Sequence, residues 1–227
     1  LFQAASGEWR LTTQEKKRIL LNNIYGVDID NQAVEVTKLS LSLKVLEGES
    51  DETLKRQLSF VHDRALPDLG QNIKCGNSLI GPDYFAGQLM PDDEEMRRVN
   101  PFDWKAEFPA IMKAGGFDAV IGNPPYLYSA GQRFSEYLSK KYQLCQYQTD
   151  YYVYFIERAL QLVRKHSKVS FILSDSWLNS GYFSTMRNHL LSEHRIDLLT
   201  VFDYPVFESA TIENSIFVLT VADDPGD

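Results

Sequence analysis

Glycine is scarce at the start of the chain: Gly7 is the only glycine before Gly26. No phosphate-cradling glycine loop followed by lysine occurs, and no Gly-x-Ser-x-Gly elbow, so kinase and serine-hydrolase chemistry find no support. Cysteine is nearly absent. Cys75 and Cys145 are too few for a disulfide framework or, by themselves, a metal site. The four histidines, His62, His166, His189 and His194, show no ligand or triad spacing with an acid or thiol and are expected at the surface; no metal is expected. No apolar run approaches the length that spans a bilayer, and residues 1–10 lack a basic flank followed by an apolar core, so a cytoplasmic protein without membrane contact is expected. Basic excess is missing too. With 23 Lys and Arg against 31 Asp and Glu, the net charge is −8, which argues against strong nucleic-acid binding by bulk electrostatics and gives local patches more weight. Lys140-Lys141, Arg164 to Lys168 and Arg187 to Arg195 are such patches. Arg164 to Lys168 reads as a helix end with cations on the dipole, and Asp92 to Glu95 as an acidic run in an excursion.

What is present suits one globular domain: 44% hydrophobic and 24% charged residues. Thr12 and Glu15 have capping-box spacing, predicting a helix to about Leu21 before a strand over Ile24 to Asp28. Asp30 should cap a helix reaching Gly48, with a broad apolar face from Ala33, Val34, Val36, Leu39, Leu41, Leu43, Val45 and Leu46. Further helices are expected at 51–58, 104–113, 150–165 and 182–193. Strands are expected at 72–75, 117–121, 169–173, 196–202 and 214–221. The alternation predicts an α/β sheet protein. Tyr147, Tyr151, Tyr152, Tyr154 and Phe155 are placed in the core by their helical context.

The most informative segment is Asn123-Pro124-Pro125-Tyr126, directly after the apolar run Phe117 to Ile121 and Gly122. The run reads as a buried parallel strand, and Gly122 as the residue that lets the backbone turn at its carboxyl end, where open α/β sheets place ligands. Two prolines fix φ and remove two N–H donors, leaving nearby carbonyls free to accept. An Asn side-chain oxygen beside such a carbonyl suits an amine with two hydrogens, and Tyr126 offers a flat face to a planar ring.

These four residues resemble the catalytic motif of S-adenosylmethionine-dependent amino methyltransferases, particularly DNA adenine N6-methyltransferases of the gamma type. Asn22 to Asp30 resembles the family's ribose-holding strand, and Ile73 to Leu79 the next cofactor segment. Their order, ahead of the catalytic loop, resembles the methyltransferase region of type IIG restriction-modification enzymes. The resemblance implies a Rossmann-like class I sheet with helices on both faces. It implies a cofactor half over about 1–115 and a catalytic and target-base half over about 116–227. Asp28, Ile29, Asn77 and Asn123 would hold the cofactor; Asn123, Pro124, Pro125 and Tyr126 would be catalytic; Tyr126 and Phe207 would stack on the target base. Asn77 stands where relatives commonly carry Asp. The partner implied is double-stranded DNA with a flipped adenine. The family's first strand and its glycine loop have no counterpart before Gly26, and no target-recognition domain is visible. A fragment of a longer polypeptide is therefore expected, with upstream and downstream regions as partners. Methyltransfer to protein glutamine or RNA guanine, or an inactive nucleic-acid-binding remnant, stays open on sequence alone.

Overall fold

The computed structural model describes residues 2–3, 7, 9–47, 67–87, 92–128, 134–146, 149–207 and 213–222. It divides into two units, one of Leu1–Ser78 with Met90–Pro101 and one of Leu79–Leu89 with Phe102–Asp227.

In the first unit, β1 (Phe2–Gln3) and β2 (Trp9–Arg10) pair antiparallel. Helix α1 (Thr13–Asn23) starts as its capping spacing predicts, with Thr12 Oγ1 accepting from the Glu15 N–H at 3.2 Å. Its other end has no glycine cap. Buried Asn72 closes it instead, donating from Nδ2 to the carbonyls of Leu21 and Ile24. Strand β3 (Gly26–Asp28) is shorter than expected and pairs parallel with β4 (Ile73–Cys75). Between them runs α2 (Asn31–Leu46), capped by Asp30, whose carboxylate accepts from the Gln32 N–H at 2.8 Å. Leu20, Val34, Val45, Leu69 and Ile73 form this unit's core. The apolar positions of α2 wrap around more of the helix than this core covers, so Val36, Leu39 and Leu43 are exposed rather than part of one buried face. The expected helix at 51–58 lies outside the described residues. Asp92 to Glu95 opens α3 (Asp93–Val99) with acids in its first turn and Arg97 and Arg98 in its last, an arrangement that complements the helix dipole.

The second unit opens with a 3-10 turn at Pro82–Phe85 and continues with α4 (Trp104–Glu107) and α5 (Pro109–Lys113). A single helix was expected over 104–113. It breaks at Phe108 (φ −128°, ψ 56°), because a residue before proline is pushed out of the helical region. There follow β5 (Phe117–Gly122), α6 (Ser135–Lys141), α7 (Tyr152–Leu162), β6 (Val163–Ser174), α8 (Ser176–Asn179), α9 (Ser184–Glu193), β7 (His194–Val201) and β8 (Asn214–Val221). The sheet order is β5-β6-β8-β7, with β5 parallel to β6 and β8 antiparallel to both neighbours. Residues 164–168 therefore belong to a strand, not to a helix end. Arg164 pairs with Asp118 of β5, and Lys168 with Asp197 of β7 at 2.8 Å.

Alternate residues of β6 (Val169, Phe171, Leu173) pack with Tyr152, Val153 and Ile156 of α7, Met186 and Leu190 of α9, and Phe217 and Leu219 of β8. Tyr152 and Tyr154 are buried, as their helical context predicts, and Tyr147 lies outside the described residues. Strand β5 departs from expectation. Among the described strands it lies at the edge of this sheet, and Ile121 is 83% exposed instead of buried. His194 is no surface residue either: both its ring nitrogens are sealed from solvent, His189 lies edge-on at 5.3 Å, and burial lowers its pKa. Among the described residues no helix is long and apolar enough to cross a membrane.

Candidate active site

The ladder between β5 and β6 ends on the pair Gly122–Phe171, and the chain leaves the sheet there as Asn123-Pro124-Pro125-Tyr126. Gly122 is needed for space rather than for a turn. Its φ is not positive, but a Cβ on it would lie 2.6 Å from Cε1 of the Phe171 ring. Pro124 is buried and fastens the loop, whereas Asn123 and Pro125 face solvent. Among the described residues the Asn123 carboxamide is uncommitted, so its oxygen is available as an acceptor.

Tyr126 is half-buried and anchored at its tip. Its hydroxyl donates to the Ile172 carbonyl at 3.2 Å, one residue beyond the end of the ladder, and accepts from Asn214 Nδ2 at 3.3 Å. Its ring stands edge-on to Tyr152 with centroids 6.3 Å apart, and Tyr152 in turn stacks on Phe183 at 5.6 Å. Burial pushes the Tyr126 pKa up, and the hydrogen bond from Asn214 offsets part of the rise. The phenol stays protonated at neutral pH. Phe207 lies half-buried in a bend after β7, and among the described residues no ring contact joins it to Tyr126.

The cofactor candidates lie in the first unit, at the carboxyl ends of β3 and β4. Asp28 closes β3 opposite Cys75, and its Oδ1 accepts from the Asp30 N–H at 2.8 Å, which fixes the direction of the exposed carboxylate. Ile29, beside it, is 54% exposed. Asn77, two residues past the end of β4, is buried, and its N–H donates to the Asn100 carbonyl at 2.6 Å. Asn100 caps α3 in the left-handed conformation (φ 46°). Thus Asp28, Ile29 and Asn77 share one strand edge, while Asn123 to Tyr126 occupy the carboxyl end of β5 in the other unit.

Sequence reasoning missed Asn100 and Asn214. The available signal for Asn214 was a polar residue opening the strand just ahead of the apolar run Ile216 to Leu219. Because β8 is antiparallel, its first residue falls at the carboxyl ends of β5 and β6, beside the loop.

The model of the family described as Eco57I restriction-modification methylase matches residues 22–207. The chain is 29% identical over 227 residues to the type II restriction enzyme and methyltransferase RM.Eco57I of Escherichia coli, covering 96% of this chain and 21% of that protein. It is 22% identical over 157 residues to the adenine-specific methyltransferase PglX of Streptomyces coelicolor, covering 66% and 12%. Among solved structures, a nuclease-deletion mutant of the type ISP restriction-modification enzyme LlaGI, in complex with a DNA substrate mimic, superposes with a TM-score of 0.59 at 14% identity. That match covers 95% of this chain and 18% of the other, and it supports the α/β fold. The chain therefore spans about a fifth or less of the length of these proteins.

Proposed function

We propose that this chain, which belongs to the Eco57I restriction-modification methylase family, carries the catalytic chemistry of a DNA methyltransferase that moves a methyl group from S-adenosylmethionine to the N6 amine of adenine. The observation that carries the reading is the loop after β5, where an uncommitted Asn123 carboxamide is followed by two prolines and an anchored aromatic ring. The family match and the adenine-specific relative favour DNA adenine over glutamine or RNA guanine as the amine.

The residues at the edge of β3 and β4 fit the cofactor. An outward carboxylate at Asp28 suits two ribose hydroxyls, exposed Ile29 suits an apolar ring face, and Asn77 can accept from an adenine amine. Bound S-adenosylmethionine supplies a methyl group on a positive sulfur, activated without help from the protein.

The remaining problem is the acceptor nitrogen, whose lone pair is delocalised into the adenine ring. Asn123 Oδ1 and the Pro124 carbonyl accept the two amine hydrogens, which favours a tetrahedral nitrogen with a localised lone pair. No base is required, since the nitrogen can lose its proton after transfer. In a duplex the adenine must first be extruded, at a cost of a few kcal/mol, and stacking on the Tyr126 ring returns about 1–3 kcal/mol. Phe207 is proposed for the opposite face of the base. Choice of DNA sequence we assign to regions of the polypeptide other than these residues, since the chain matches only 21% of the E. coli relative. A role in restriction and modification supports a cytoplasmic location.

The test is transfer of a labelled methyl group from S-adenosylmethionine to DNA by the intact protein, followed by nucleoside analysis. Label in N6-methyladenine is expected; label confined to cytosine, RNA or protein would overturn the assignment.

A further inference from the structure

We infer that Asn214 is a positioning residue for the target base, acting through the Tyr126 hydroxyl; the inference rests on the stacking role proposed for Tyr126 and adds to it a named device that holds the platform. The hydrogen bonds run in one direction. Asn214 Nδ2 donates to Tyr126 Oη at 3.3 Å, and Tyr126 Oη donates to the Ile172 carbonyl at 3.2 Å. The phenol has one proton, and Ile172 takes it, so the bond from Asn214 must use the phenol as acceptor. The ring tip is thereby pinned to β6 and β8 at once, while the ring edge meets Tyr152.

Asn214 is well placed to hold still. It is 1% exposed, is the first residue of β8, pairs with Ser174 in the ladder, and its carbonyl accepts from the Phe202 N–H. Its neighbour Ser215 does a parallel job, accepting from the Trp177 indole N–H at 3.0 Å. The first two residues of β8 are thus polar, buried, and each bonded to one aromatic side chain. The Asn214 Oδ1 is buried with no hydrogen-bond partner among the described residues, so the carboxamide carries a desolvation cost that packing alone does not explain, and the Nδ2 bond to Tyr126 is the contact that gives the position a purpose. A pinned ring loses less rotational freedom when a base stacks on it, which lowers the cost of forming the stacked state. Asn214 itself is too buried to touch DNA and has no place in the chemistry of the amine.

The experiment is a double-mutant cycle in the intact protein, with Asn214→Leu, Tyr126→Phe and the double variant. DNA methylation is measured in parallel with the fluorescence of DNA carrying 2-aminopurine at the target position. Each single variant should lower kcat/KM about fivefold, the scale of one net hydrogen bond, and the double variant should fall no further than either. Both single variants should also leave the bound 2-aminopurine brighter than with the parent protein, because a loose ring quenches less. Asn214→Ser supplies a second variant should the leucine disturb folding; a hydroxyl that regains the bond should restore quenching in part. Effects that multiply in the double variant, or singles that methylate and quench like the parent, would overturn the inference. A parent protein that places no methyl group on adenine would instead overturn the reading beneath it, and the two failures are read from different samples.

Discussion

Asn123 and Tyr126 sit three residues apart yet are held in opposite ways, one uncommitted at the surface and the other bonded at its tip to two strands. That difference fits an acceptor that must meet the substrate and a platform that must not move. Since burial raises the Tyr126 pKa and its proton is committed to Ile172, the hydroxyl is no base near neutral pH. The methylation rate of the intact protein should therefore be level from about pH 7 to 9, and a limb in that range that vanished in Tyr126→Phe would contradict this. Asp28→Ala should raise KM for S-adenosylmethionine about tenfold, the scale of a charge-assisted hydrogen bond, with kcat little changed; an unchanged KM would remove Asp28 from the cofactor site. The loop motif was legible because its chemistry lies in four consecutive residues. Asn214 was not, because its place beside Tyr126, 88 residues away, depends on the antiparallel direction of β8.

At the level of elements, local signals served where local bonds decide. Thr12 and Asp30 cap their helices as their spacing predicts, and Asp30→Ala should lower unfolding stability by about 0.5–2 kcal/mol, read as a shift in denaturant midpoint. No shift would mean that α2 is held by packing alone. Sequence patterns failed where neighbours decide. The charged run at 164–168 looks helical by composition but enters β6, where carboxylates at Asp118 and Asp197 receive it. Apolar β5 looks buried from its residues alone, yet its place at the sheet edge exposes Ile121. Gly122 was legible as important and misread in its reason, since the constraint is the Phe171 ring. Gly122→Ala should cost about 1–3 kcal/mol by overpacking, and a combined Gly122→Ala, Phe171→Leu variant should recover part of it; an unaffected single variant would show that the ring can give way.

For the whole molecule, α/β class was readable from the alternation of strand and helix patterns, and a break in the sheet between the ribose strand and the catalytic strand was implied by the resemblance, whose central first strand has no counterpart here. The described strands form a two-stranded parallel sheet, β3-β4, apart from the four-stranded sheet β5-β6-β8-β7, as well as the small β1-β2 pair. The cofactor candidates belong to the first of these and the acceptor loop to the second, so each set has its own fold-level support. The central claim is that the loop after β5 activates an adenine amine by accepting its hydrogens. It is tested most directly by single-turnover methylation of DNA by the intact protein and its Asn123→Ala variant, with DNA and cofactor affinities measured on the same preparations. A rate lowered about 10²–10³-fold with both affinities nearly unchanged is the predicted result, matching the loss of one preorganised hydrogen-bonding group at a reacting centre. Methylation by Asn123→Ala at the parent rate would contradict the account.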